Sequence, residues 1–236
     1  MELLKNTLHH QRFVFVINLH KMEIEHCHGV ERWMGYPDNH FSLFDYLKII
    51  HPSHRFFHQI SSQVGISGLM AGDYPIEFMK HRLITFIALQ HKSGKYYSFK
   101  RVGSVFQYFV DQNKKHRLLE YINEFTMLGE YEETPGVITT FDENHVEKQW
   151  EEGMRREMKK VFEQESPFSL QEYRVLRHYA YNPKAQAADI ATQFGVKISS
   201  INTYHKRLLG KAATLFSKQF DSVKDLALEL RKQHFV

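Results

Sequence analysis

The side chains best suited to chemistry lie between residues 199 and 211, where hydroxyl, amide and cationic groups recur at helical spacing. A carboxamide such as that of Asn202 can pair with adenine, and Lys206 or Arg207 can pair with guanine. The two serines and Lys211 suit phosphate oxygens, helped by a helix N-terminus. These types predict contacts to double-stranded DNA, with seven candidates: Ser199, Ser200, Asn202, Thr203, Lys206, Arg207 and Lys211.

A cationic helix face is often only a hydrated surface, so the elements that position these residues decide between the two interpretations. Ser169 and Glu172 form a capping-box pattern that predicts the start of a first helix, which Pro183 ends. A second helix is predicted over 187–194, with Gly195 as the turn and Val196 filling the corner. A third helix is predicted over 200–213 with a cap at Ser199 or one of its neighbours, and a fourth over 222–232.

The pattern of a short helix, a glycine turn and a further helix is typical of a helix-turn-helix. The stretches FSLQEYRVL, DIATQFGV and KISSINTYHKRLLGKA resemble the LuxR-type output domain. That resemblance implies a bacterial transcription regulator that binds paired DNA half-sites as a homodimer. Gln171, Asn202 and Tyr204 depart from the family pattern of Arg, Lys and His, which leaves the preferred DNA sequence open.

The first half of the chain alternates between strand and helix signals. Period-two and β-branched patterns predict five strands, and short apolar patterns between them predict helices, the longest starting at a Ser53 cap. The predicted strands are 13–17, 22–28, 83–89, 96–109 and 117–127, and the predicted helices are 31–34, 43–50 and 53–70. This order predicts an α+β fold with a five-stranded antiparallel sheet.

The segments HPSHR and HKSGKYYSFKR, in this order of elements, resemble a PAS sensory domain over residues 10–127. The resemblance implies a small-molecule ligand or a protein partner as the signal. The aromatic residues of the later strands are interpreted mainly as sheet core, some of them lining a ligand pocket: Phe86, Tyr96, Tyr97, Phe99, Phe106, Tyr108 and Phe109.

Charge divides the chain into three segments. Residues 1–127 carry net charge +4 and are predicted as the PAS-like domain, 128–165 carry −6, and 166–236 carry +6 and form the predicted helix-turn-helix domain. The acidic segment is predicted as a linker to residue 141 and then a helix over 143–165 capped by Asp142. Its apolar stripe (Val146, Trp150, Met154, Met158 and Val161) either docks on the sheet or dimerises.

Other chemistry finds little support in the residues. Cys27 is the single cysteine and is interpreted as a half-buried strand residue rather than a nucleophile. His26, His28, His51, His54 and His58 are interpreted as surface side chains, because nothing completes a metal set at familiar spacing. No enzyme motif, cofactor signature, signal peptide or membrane span is recognised, so a cytoplasmic protein that is not an enzyme is expected.

The resulting hypothesis is a DNA-binding transcription regulator whose PAS-like domain senses a small ligand or partner and controls a LuxR-type helix-turn-helix. The alternative is a PAS-type sensor or protein-interaction module, with haem binding as a variant, that does not itself bind DNA. DNA affinity that falls steeply as the salt concentration rises would favour the DNA-binding regulator over the module that does not bind DNA.

Overall fold

The computed structural model describes residues 11–71, 76–79, 82–132, 139–141, 148–233 and 235–236, with the backbone alone described at 139–141 and 148–150. Its contacts divide the chain into two units, Met1–Met154 and Arg155–Val236. The division falls inside a helix, and each unit is considered by itself. The predicted boundaries at residues 127 and 165 stay predictions.

The first unit is built on one antiparallel sheet. Its strands are β1 (Arg12–Asn18), β2 (Glu23–His28), β3 (Arg82–Gln90), β4 (Tyr96–Val110), β5 (His116–Glu130) and β6 (Thr139–Phe141). The order across the sheet is β2-β1-β5-β4-β3-β6. The predicted α+β fold with five antiparallel strands is therefore confirmed, and β6 extends it by pairing with β3.

The sixth strand corrects the prediction of a plain linker over 128–141. Here β5 continues to Glu130 and β6 occupies Thr139–Phe141. Pro135 and Gly136 favoured a loop in the sequence, but strand pairing depends on an available neighbouring edge, which local residue types do not reveal. Asp142 and Val146, the predicted cap and first apolar position of the next helix, lie outside the described residues.

The helices of the first unit are α1 (Val30–Met34), a 3₁₀ turn (Asp38–His40), α2 (Leu43–Ile49) and α3 (Pro52–Ala71). A capping box between Ser42 and Asp45 fixes the start of α2. The predicted Ser53 cap is wrong, because α3 already begins at Pro52, whose fixed φ suits the first helical position.

The core of the first unit is aromatic. Phe13 stacks on Phe125 with ring centroids 4.4 Å apart, and Phe15 meets the ring of Tyr46 edge-on at 5.0 Å. Of the seven later-strand aromatic residues predicted mainly as core, only Phe99 is buried. The others are half-buried or exposed because they lie on the opposite face or beyond the part of the sheet that the helices cover.

The acidic helix, α4 (Lys148–Glu165), begins later than predicted among the described residues. Its Met154 and Met158 are buried, as the apolar stripe predicts, whereas Val161 is only half-buried and Phe162 is completely buried in its place. Met154 lies against α3, where a Cβ added at Gly68 would come within 3.2 Å of its Sδ. Met154 of the stripe thus packs against α3 within the chain.

Candidate nucleic-acid interface

The second unit contains α5 (Leu170–Tyr181), α6 (Ala187–Phe194), α7 (Ile198–Phe216) and α8 (Val223–Lys232). At the start of α5 the predicted capping box is present. The Glu172 carboxylate accepts from the Ser169 backbone N–H at 2.7 Å, and Ser169 Oγ accepts from the Glu172 N–H at 3.3 Å. Both bonds satisfy donors that a helix N-terminus leaves open, which fixes where α5 begins.

The predicted second helix has the predicted bounds. Gln186 and Asp189 form a further capping box, which the sequence analysis missed, and Gly195 ends α6 with φ +65°. Val196 does not fill the corner as predicted, because its side chain is 37 % exposed. Ile190 and Ala191 instead supply the buried surface of α6.

The third helix starts earlier than predicted. Lys197 occupies the cap position of α7 without a side-chain bond, so Ser199 is inside the first turn and is not the cap. Four residues at helical spacing bury the inner side: Ile201, Leu208, Ala212 and Phe216. Tyr204 and Leu209 of the same helix are only half-buried.

On the outer side of α7 the structure brings five of the seven candidates into one exposed row: Ser199, Asn202, Thr203, Lys206 and Arg207. Neither Lys206 nor Arg207 has a hydrogen-bond or ion-pair partner within the described residues. The Thr203 hydroxyl donates back to the Ser199 carbonyl at 2.9 Å, which leaves its oxygen free to accept. Ser200 is half-buried beside this row. The row offers donors, acceptors and two cations on one face.

Lys211 lies apart from this row. Its Nζ donates to Glu172 Oε2 at 2.6 Å, and the Glu172 side chain is only 2 % exposed. Burial by itself raises the pKa of Glu172, but the bonds from Lys211 and Ser169 outweigh it and lower that pKa. The ammonium of Lys211 therefore ties α7 to the start of α5, and its predicted phosphate contact stays a prediction.

A second polar link between α7 and α5 was missed in the sequence. Tyr179 Oη lies 3.2 Å from His205 Nε2, and the Lys224 ammonium of α8 lies 5.7 Å from the Tyr179 ring centroid. Burial, followed by the charge of Lys224, lowers the pKa of His205. No local pattern signals a pair whose members are separated by 26 residues.

In the first unit, two of the predicted surface histidines are interior. His54 and His58 are each 3 % exposed, because α3 places both against the sheet. His54 Nδ1 accepts from the Ala88 backbone N–H at 2.9 Å, and His58 Nε2 lies 3.1 Å from Tyr46 Oη. The spacing 54/58 indicated a shared helix face but not which face.

Cys27 is half-buried in β2, as predicted. Burial and the nearby charge of Asp38 raise the pKa of its thiol to about 12, so thiolate chemistry is suppressed at neutral pH. Over the described ranges, no three His, Cys, Asp or Glu side chains gather as metal ligands do. In those ranges no helix has the length and apolar character required to cross a bilayer.

No family model matches the chain, and no curated protein sequence matches it. Solved structures with partial similarity include the N-terminal domain of a diguanylate cyclase with a PAS/PAC sensor from Marinobacter aquaeolei (15 % identity, 50 % of this chain and 95 % of that chain, TM-score 0.38). The VqmA dimer of Vibrio cholerae shows 11 % identity over 100 % of this chain and 88 % of that chain, with a TM-score of 0.34. Escherichia coli SdiA shows 12 % identity over 99 % and 88 %, with a TM-score of 0.31. Similarity of this size assigns no family.

Proposed function

We propose that this chain is a transcription regulator that binds double-stranded DNA through α7, with its N-terminal PAS-like unit sensing a small ligand or partner. The observation that carries the proposal is the two-sided character of α7. Its inner side is buried against the rest of the unit, and its outer side presents Asn202, Lys206 and Arg207. A helix after a tight glycine turn, packed on one side and polar on the other, suits insertion into a major groove.

Electrostatics support the same proposal. Residues 166–236 carry 11 Lys and Arg against 5 Asp and Glu, a net charge of +6. Two other cations of the unit are engaged internally: Lys211 pairs with Glu172, and Arg231 donates to the Ala180 carbonyl at 2.7 Å. Lys206 and Arg207 remain available for phosphates or guanine edges.

The experiment is selection of fragmented genomic DNA by the purified full chain at two salt concentrations, with the recovered fragments sequenced. We expect enrichment of a shared, two-fold-related site that persists at the higher salt, which indicates a dimer on paired half-sites. Absence of enrichment at either salt overturns the proposal in favour of an interaction module that does not bind DNA.

The double variant Lys206→Ala/Arg207→Ala tests the assignment to α7. Loss of a base contact costs about 1–3 kcal/mol, so affinity for the recovered site should fall at least tenfold. Lys218→Ala/Lys232→Ala removes the same charge from positions outside the exposed row and should bind nearly as the parent does. Equal affinity of both double variants would show that α7 is not the reading element.

A further inference from the structure

Among the residues that the structure describes, the interior of the first unit contains a buried charge with no counter-charge. Arg101 lies on the inner face of β4 and is 4 % exposed. Its Nε donates to Asn123 Oδ1 at 2.9 Å, while its Nη1 has no partner and no carboxylate of the described residues pairs with it. A guanidinium stays protonated at every accessible pH, and burying such a charge is costly unless it is paired.

Two further buried polar atoms around Arg101 also have no partner within the described residues. Thr85, which is 0 % exposed, is the direct neighbour of Arg101 across the β3–β4 pair, and its Oγ1 is unpartnered. His58 on α3 faces the same interior with Nδ1 unpartnered. Directly opposed strand residues place their Cβ atoms about 4.5–5.5 Å apart on one face, so the Thr85 and Arg101 side chains leave the sheet side by side on its inner face.

The titratable side chains around Arg101 are either neutral or positively charged. Burial, followed by the charges of Arg101 and His54, holds the pKa of His58 well below its ordinary value. Burial also raises the pKa of Tyr46 and of Tyr121 to about 12, so neither phenol is an anion at neutral pH. The described interior therefore holds one fixed positive charge and hydrogen-bond donors, and lacks a negative charge.

We propose that the space between α3 and the sheet binds a small organic carboxylate, whose oxygens accept from Arg101, Thr85 and His58. Guanidinium groups form strong, charge-assisted hydrogen bonds to carboxylates, and one such bond would use the open Nη1. Two aromatic residues flank the charge and suit an apolar body on the ligand: Phe125 lies opposite Arg101 on β5, and Phe99 lies two residues before it on β4. The regulatory role of this ligand rests on the proposed function, whereas its binding does not.

The test is thermal unfolding of the full chain in sodium formate, acetate, propionate or benzoate, against sodium chloride of equal ionic strength. Fluorescence of Trp33 follows the first unit, in which this residue lies. At a hundred times the dissociation constant, at least one carboxylate should raise the midpoint by about 5 °C or more. The neutral propionamide and benzamide should not. No rise with any of the four salts overturns the proposal.

Arg101→Met separates a ligand site from an internal ion pair. We expect this variant to lose the carboxylate response, because the buried positive charge that would pair with the carboxylate has been removed. Lys100→Met, which removes a charge one residue away on the opposite face of β4, should keep the response. If Arg101→Met keeps the carboxylate response, Arg101 does not bind the ligand and the proposal is wrong.

Thr85→Val removes only the hydroxyl and keeps the side-chain volume. It should weaken the carboxylate about tenfold without destabilising the ligand-free chain, since a hydrogen bond to a charged group is worth about 1.5–3 kcal/mol. Unchanged carboxylate affinity in this variant would contradict the assignment of Thr85. These measurements need no DNA, so their failure leaves the proposed function untouched, and failure of DNA selection leaves the carboxylate site intact.

Discussion

The ion pair between Lys211 and Glu172 yields the sharpest stability prediction, because it joins two helices of the candidate DNA-binding unit. Glu172→Gln keeps the shape of the side chain and an acceptor for the Ser169 N–H, but it removes the charge that faces Lys211. Breaking a fully buried pair costs about 3–5 kcal/mol. Because the Lys211 side chain is 35 % exposed and stays partly hydrated, we expect about 2 kcal/mol.

The assay is urea unfolding of the full chain followed by two signals. Far-ultraviolet circular dichroism reports the helices of both units, and the fluorescence of Trp33 reports the first unit. Glu172→Gln should lower the urea midpoint of the second unit, which dichroism reports, by about 1 M. The midpoint of the first unit, which fluorescence reports, should stay unchanged.

Glu157→Gln is the matched control, because it makes the same chemical change in a surface pair. Glu157 Oε2 lies 3.5 Å from Lys160 Nζ, and the two side chains are 51 % and 62 % exposed. Such pairs contribute about 0.5 kcal/mol or less. If Glu172→Gln shifts the midpoint no more than Glu157→Gln does, the link between α5 and α7 does not stabilise the unit.

Two further predictions concern backbone conformation and burial. Gly195→Ala should destabilise the second unit by about 1–2 kcal/mol because φ is +65° there, whereas Gly210→Ala inside α7 should stabilise it by about 0.5–1 kcal/mol. A Cβ added at either position meets open space, so packing does not affect the comparison. Shifts of the dichroism-detected midpoint in the same direction for both variants would contradict the prediction. His58 has a lowered pKa in the folded chain, so its contribution to stability is present above the unfolded value of about 6.5 and is lost as pH falls towards and through the lowered value. The fluorescence-detected urea midpoint should therefore fall between pH 7.5 and pH 5, and His58→Gln, which can still bond to Tyr46, should fall less; an equal fall in both proteins would refute the assignment.

Features that depend on neighbouring residues in the sequence could be predicted. The box of Ser169 and Glu172 and the bounds of α6 follow from side chains three or four residues apart, and the structure confirms both. The start of α7 could not be set, because its cap, Lys197, makes no side-chain bond that the sequence could signal. The five-stranded sheet was predictable because its hairpin turns carry glycine or aspartate at the required positions.

Features that depend on tertiary packing were missed. Helical spacing put His54 and His58 on one face of α3, but only the packing of that helix makes the face interior. The pairing of Lys211 with Glu172 spans 39 residues, so the same lysine suits a phosphate contact when only its neighbours are considered. Arg101 is similar: a cation in a strand is normally exposed, and its burial becomes visible only with the sheet.

The salt dependence of DNA affinity tests the central claim most directly. The logarithm of the association constant for the selected site should fall linearly with the logarithm of salt concentration, at about 0.9 per neutralised phosphate. In Lys206→Ala/Arg207→Ala, affinity should fall at every salt concentration, and the slope should decrease by up to about 1.8 if both cations contact phosphates. The claim that α7 reads DNA would be contradicted if the parent chain bound the selected site and a scrambled site with equal affinity at every salt concentration.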